Sequence, residues 1–199
     1  MLERIADSWV KKLIENGTVE EEKAALYVFG FVQGMRAILE LILLLITGLL
    51  LGLFWQCVII LVTFMPIRVY AGGYHAKTPL QCSVKTWLLL LAILLGYKFI
   101  PSYLLLEIGI VVVTGLWICF FSPIQDANKP LQEYELKKYK KKALFYFGIY
   151  LCLYVIGHIL KWTQIVRCIP LGMGMLLTIM VAGVIKNRNW KKQEEEDEF

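Results

Sequence analysis

The chain has 199 residues, 58% of them hydrophobic and 19% charged, with a net charge of +5 and five cysteines. Soluble domains run roughly 45–50% apolar, whereas here the mean hydropathy is +0.62. No water-exposed fold could cover apolar blocks as dense as residues 39–53 and 88–95, so a soluble domain is excluded and an integral membrane protein is expected.

In chain order, the first element predicted is a short amphipathic helix over residues 1–16. Leu2, Ile5, Trp9 and Leu13 recur at helical spacing, with Glu3, Asp7, Lys11 and Lys12 elsewhere on the cylinder, which suits a helix lying on a membrane surface. The opening MLERIADSWVKK is charged and lacks a small-residue cleavage site, so no removable signal peptide is expected. Asn16-Gly17 is the predicted stop, and Thr18 with Glu21 resembles a capping box opening the next helix.

From Ala24 to Ile67 the chain is too long and too apolar for one crossing of about 20 residues. It divides into helices near 24–46 and 49–67, with a tight turn at Thr47-Gly48. Further spans are predicted near 86–99, 103–121, 143–160 and 168–185. The third is short, with Lys98 free to snorkel. The result is one all-α integral membrane domain: an interfacial helix, a six-span bundle over 24–185 and a charged tail over 186–199.

Charge supports this division. Arg4, Lys11, Lys12 and Lys23 precede the first span. Arg68, Lys77 and Lys85 lie in the 68–85 loop. Lys129, Lys137, Lys138, Lys140, Lys141 and Lys142 lie in the 122–142 loop, and Lys186, Arg188, Lys191 and Lys192 lie in the tail. Seventeen of the 21 Lys and Arg residues thus fall on one side. The positive-inside rule makes that side cytoplasmic, with both termini and the 68–85 loop there. Reading 24–67 as one crossing would put the basic 68–85 loop outside, in conflict with that rule.

The 68–82 segment, RVYAGGYHAKTPLQC, carries the chemistry. Cys57, Cys119, Cys152 and Cys168 sit in apolar stretches, where a thiol behaves as a small hydrophobe; Cys82 alone has a polar setting. A free thiol has a pKa near 8.5 and needs a base. His75, seven positions away, is a candidate to take the proton and return it to a leaving amine. The pair would share a face if the segment were helical, or meet across the turn that Pro79 suggests. Gly72 and Gly73 are candidates to expose N–H groups to an oxyanion. Arg68 is a candidate to hold a substrate carboxylate or favour the thiolate. The bland alternative is a histidine and a cysteine that never meet.

Gln33, Arg36 and Glu40 form a polar stripe inside the first span, where ionisable groups are costly. Either Arg36 and Glu40 neutralise each other, or the three line a chamber in which Gln33 or Glu40 orients His75. Glu107 is a weaker candidate of the same kind, and His158 reads as an interfacial histidine. The basic cluster in 133–142 (EYELKKYKKK) reads as an anchor on anionic headgroups or a receiver for an acidic peptide. With two separated histidines and no CxxC or HExxH pattern, neither a metal nor a disulfide framework is expected. No cofactor and no nucleic-acid partner are expected, and no GxxxxGK[ST] loop marks an autonomous pump.

The Gly72-Gly73-Tyr74-His75 core with Cys82 following, the six-span layout and the later SPIQDANKPL stretch (122–131, with Asn128-Lys129-Pro130) resemble the AgrB family of Gram-positive quorum-sensing systems. The resemblance covers most of the chain. It implies that His75 and Cys82 are a catalytic pair of a membrane cysteine endopeptidase. The implied substrate is a short AgrD-type propeptide with an amphipathic leader and an acidic C-terminal tail. Loss of the tail would give a cyclic thiolactone or lactone intermediate, with Lys137, Lys138, Lys140, Lys141 and Lys142 suited to receive that tail. Family members are expected to act as homodimers among membrane lipids. The competing readings are a peptide exporter without proteolytic activity, which would tolerate Cys82→Ala, and a lipid-binding scaffold.

Overall fold

The computed structural model describes residues 2–74, 76, 78–125 and 132–197, with 189–197 described by backbone alone. Apart from an isolated bridge between Gly72 and Ile124, regular structure among these residues is helical. The elements are α1 (Leu2–Glu15), a 3-10 turn (Glu21–Lys23), α2 (Ala24–Leu50), α3 (Phe54–Ala71), α4 (Pro79–Phe99), α5 (Leu104–Phe121), α6 (Glu133–Ile159) and α7 (Thr163–Asp197). Six of these helices are long and apolar enough to cross a bilayer. The protein is an all-α multi-pass membrane protein, as its apolar blocks predict.

The chain forms two compact units, Met1–Ile46 and Thr47–Phe199. In the first, α1 buries Ala6 and Val10 while Ile5 and Trp9 stay exposed. The helix stops where expected: Gly17 takes φ +69°, and the Gly17 and Thr18 N–H groups donate to Ile14 O and Leu13 O. This left-handed C-cap answers two of the last carbonyls. The Thr18–Glu21 capping box does not form. Glu21 opens the 3-10 turn, whose N-cap is Glu20 without a side-chain bond, and Lys23 pairs with Glu20 at 2.6 Å.

In the larger unit α7 is the hub, packed against α3, α5, α6 and α4. Its Cys168, Ile169, Met173, Met175, Leu176 and Met180 are buried. In lipid the gain from such packing is van der Waals contact and hydrogen bonding rather than escape from water, so small residues that admit close approach matter. A Cβ on Gly172 would lie 2.9 Å from Ile60 O, and one on Gly115 would lie 2.6 Å from the Phe147 ring. Between helices, the Tyr150 hydroxyl donates to Val62 O (2.6 Å) and Trp87 Nε1 donates to Thr47 Oγ1 (2.9 Å).

Three predicted boundaries are corrected. The turn between the first two spans lies at 51–53, with Gly52 at φ +71°. Gly48 is helical; a Cβ there would meet Cys57 Cβ at 2.5 Å, so its smallness serves helix packing rather than a turn. The third span is not short: Thr78 caps α4, its hydroxyl accepting from Gln81 N at 3.3 Å, and Pro79 occupies the first turn, where its missing N–H costs nothing. Cys82 is therefore helical rather than in a loop. The basic cluster likewise opens α6 at Glu133, with Gln132 N donating to Glu135 Oε2 at 3.1 Å.

Candidate functional site

Cys82 stands in the second turn of α4, and half-buried it lines a cavity of about 240 Å³. The other walls are Arg68 from the end of α3, Tyr74 from the connecting segment, Lys85, Thr86 and Leu89 from α4, and Thr178, Ile179 and Ala182 from α7. Cys82, Lys85, Thr86 and Leu89 share one face because positions three and four apart are neighbours on a helix. Cys57 and Cys168, by contrast, are fully buried, and among the described residues no group of three or more His, Cys, Asp or Glu is placed to hold a metal ion.

Residues 72–74 are held on two sides. Gly72 (φ +74°) and Gly73 (φ +129°) adopt conformations that suit glycine. A Cβ on Gly72 would fall 2.1 Å from Ile124 O, because Ile124 N–H donates to Ala71 O (2.9 Å) beside it. On the α7 side, Tyr74 N–H donates to Ile179 O (3.0 Å), and a Cβ on Gly183 would meet Gly73 C at 2.6 Å and Tyr74 N at 2.7 Å. Glycine on both partners lets backbone touch backbone.

This changes the part assigned to Gly72. The Gly72 N–H donates to Arg68 O (3.2 Å) and the Cys82 N–H to Thr78 O (3.2 Å); with the Tyr74 bond to α7, these backbone donors are committed. The charged donors around the cavity are side chains. Arg68 Nη2 donates to Tyr74 O at 2.7 Å. Lys85 Nζ donates to the Tyr74 hydroxyl at 2.5 Å and sits 4.4 Å from that ring's centroid, with Lys186 Nζ 5.6 Å from the same ring. Tyr74 is the hub of three cations.

His75, the predicted base, lies outside the described residues, as do Lys77 and residues 126–131. Gln33, Arg36 and Glu40 belong to the N-terminal unit. There Gln33 and Arg36 line a groove of about 570 Å³ with Glu3, Asp7, Val28, Phe29 and Val32. Within the basic cluster, Lys142 Nζ lies 4.8 Å from the Tyr70 ring, which is stacked on Tyr146 and set edge-on to Tyr139. The start of α6 is thereby placed beside the end of α3, two residues from Arg68. Glu107 is elsewhere: it is buried (7% exposed) in the first turn of α5 and accepts from the Ser102 hydroxyl. His158 lies in the last turn of α6, edge-on to Tyr154 at 4.7 Å.

Sequence reasoning missed Lys85, Tyr74 and the α7 wall. Lys85 was legible in principle as i+3 from Cys82 once Thr78-Pro79 is read as a helix start; Thr178, Ile179 and Ala182 join only through tertiary packing.

Fold and cavity together define a polytopic, all-helical membrane protein that presents one thiol to a cationic pocket at the end of its bundle. The chain matches the accessory gene regulator B (AgrB) family over residues 6–181. It is 27% identical over 185 residues to an AgrB-like protein of Halalkalibacterium halodurans, covering 93% of this chain and 86% of that one. It is 25% identical over 153 residues to the accessory gene regulator protein B of Staphylococcus carnosus (76% and 79%), and 28% identical over 151 residues to FsrB of Enterococcus faecalis (73% and 59%). No solved structure matches it. The chain belongs to the accessory gene regulator B family, and its role lies in accessory gene regulation.

Proposed function

We propose that this protein is a membrane-embedded cysteine endopeptidase of a quorum-sensing system. It would remove the acidic C-terminal tail of a short AgrD-type propeptide and pass the remaining acyl group on for cyclisation. One observation carries the reading: the thiol of Cys82 faces a cavity walled by Arg68, Tyr74 and Lys85.

In this scheme Cys82 sulfur attacks the scissile carbonyl, the C–N bond breaks, and His75 delivers to the departing amine the proton it took from the thiol. With the Gly72, Tyr74 and Cys82 N–H groups committed, the oxyanion draws on the Gly73 N–H, Arg68 or Lys85. A side-chain thiol or hydroxyl of the peptide then attacks the enzyme thioester, closing the ring and freeing Cys82. Exchange of one thioester for another is nearly neutral, so acyl reactivity is kept; a serine enzyme would trap the acyl group as a lower-energy ester. The apolar walls supplied by Leu89, Ile179 and Ala182 limit hydrolysis. The lysines at the start of α6 suit the acidic tail, and the substrate's amphipathic leader lies in the same interface, cutting the search to two dimensions. The basic surplus orients this end of the bundle, with both termini, toward the cytoplasm, and the protein works as a homodimer.

The test is intact-mass spectrometry of the reconstituted full chain with its precursor peptide, the cyclising side chain deleted. A thioester adduct of the tail-less peptide on Cys82 is expected, lost in Cys82→Ala and His75→Ala. Undiminished cleavage in either variant removes the proposed pair, and peptide crossing proteoliposomes uncut would favour export.

A further inference from the structure

We propose that Lys85, together with the Tyr74 phenol, forms a subsite that binds a carboxylate side chain of the peptide next to the scissile bond; this rests on the peptidase reading above. Three observations point there. Lys85 lies three residues after Cys82 on the same helix face, so its Cβ is about 5–6 Å from that of the cysteine. Its ammonium is fixed by the Tyr74 hydroxyl at 2.5 Å and by the ring face at 4.4 Å. The nine described residues lining the cavity include Arg68 and Lys85 but neither Asp nor Glu, and Lys186 adds a further cation at 5.6 Å from the Tyr74 ring.

The hydrogen-bonding arithmetic favours an anionic acceptor. A phenol that accepts from Lys85 still has its own O–H to donate, and an ammonium that gives one hydrogen to the phenol has two more. A carboxylate bridging Nζ and the phenol would take a donor from each without breaking the existing bond, and charge-assisted bonds of this kind are the strong ones. A neutral amide of the same shape offers one acceptor oxygen instead of two, and no charge. Leu89, Ile179 and Ala182 give the same cavity apolar lining, which suits the hydrocarbon of a peptide side chain better than a fully hydrated phosphate. A lipid headgroup phosphate is the other anion that a bilayer offers to the same donors.

The first test needs no peptide. Cys82 in the purified full chain is alkylated with iodoacetate or iodoacetamide, both of which form an S–C bond with loss of iodide, and the rates are read by mass spectrometry of the Cys82 peptide. Relative to a reference cysteine peptide, Cys82 should favour the anionic reagent by at least about tenfold, the effect of a unit charge at this range in a half-buried site. Lys85→Gln should remove most of that preference, Lys85→Glu should reverse it, Tyr74→Phe should weaken it, and Lys85→Arg should retain it. A preference unchanged by both Lys85→Gln and Lys85→Glu overturns the proposal. So does its selective loss in phosphatidylglycerol vesicles but not phosphatidylcholine vesicles, which would give the site to a lipid phosphate.

The second test uses precursor peptides that differ only in Asp, Asn or Lys at the residue after the scissile bond. Asp should exceed Asn by at least about tenfold in kcat/KM, Lys85→Gln should flatten that ratio, and Lys85→Glu should favour the Lys peptide. Cleavage with no charge preference overturns the subsite alone. Iodoacetate preference without cleavage of any peptide overturns the peptidase reading, and with it the assignment of the anion site to a scissile bond.

Discussion

The two ends of the Thr47–Phe199 unit use similar residue types in opposite ways. Where α4 gives way to α5 and α6 to α7, polar groups answer backbone and one another. Arg167 donates to Tyr97 O and Ile100 O, each at 3.1 Å, and stacks on the Tyr97 ring. Lys98 reaches Leu51 O, and Ser102 bonds Glu107. The Arg167 and Lys98 contacts answer carbonyls that a helix end leaves without intrahelical partners. At the other end, where α3 meets α4, Tyr74 gathers cations beside a cavity that a thiol faces. Charge that answers helix-end carbonyls at one end is gathered around a single tyrosine beside a cavity at the other.

The sharpest way to break this contrast is to remove the thiol. Cys82→Ala should lower propeptide cleavage at least about a thousandfold, the scale of losing a nucleophile, with the fold intact because the side chain is only half-buried. Cys57→Ala should leave cleavage unchanged and cost about 1 kcal/mol of stability, as for a small core truncation. Gly183→Ala attacks the support instead. Its new methyl would overlap Gly73 and Tyr74, so cleavage should fall at least about tenfold while helical content measured by circular dichroism holds. Next in size, Arg167→Met should destabilise the detergent-solubilised protein by about 2 kcal/mol by stripping carbonyls of a charged donor, without changing the kcat of the folded fraction. Glu107→Gln, which keeps an acceptor for Ser102, should change stability by less than about 1 kcal/mol and leave cleavage alone. A large kcat loss in either of these last two variants would dissolve the distinction between the ends.

Much of the fold was legible because a bilayer is a demanding solvent: a long apolar run satisfies its own backbone groups there as a helix, so apolar length and loop charge suffice to count spans. Boundaries were less legible where one residue type serves two purposes. Thr78-Pro79 is as good a turn as a helix start, and the helix it starts carries Cys82. The lysine-rich run 133–142 looks like loop by charge, yet its Glu, Leu and Lys residues are good helix formers. Gly48 signalled a turn and proved to be a packing surface. At the site, the cysteine was readable from its polar neighbours, whereas the α7 wall was not, since no local pattern says which face of a distant apolar helix will meet residues 73–74.

The bare backbone of Gly183 has one further consequence. It is a notch into which residues 73–74 fit, and a helix presents its next side chain about 100° around the axis. Turning α7 by one residue would bring Ala182 or Val184 into that notch, where no Cβ fits. The last helix is thereby keyed in azimuth by residues 73–74, and the same setting fixes where Ile179 and Ala182 enter the cavity that Cys82 lines.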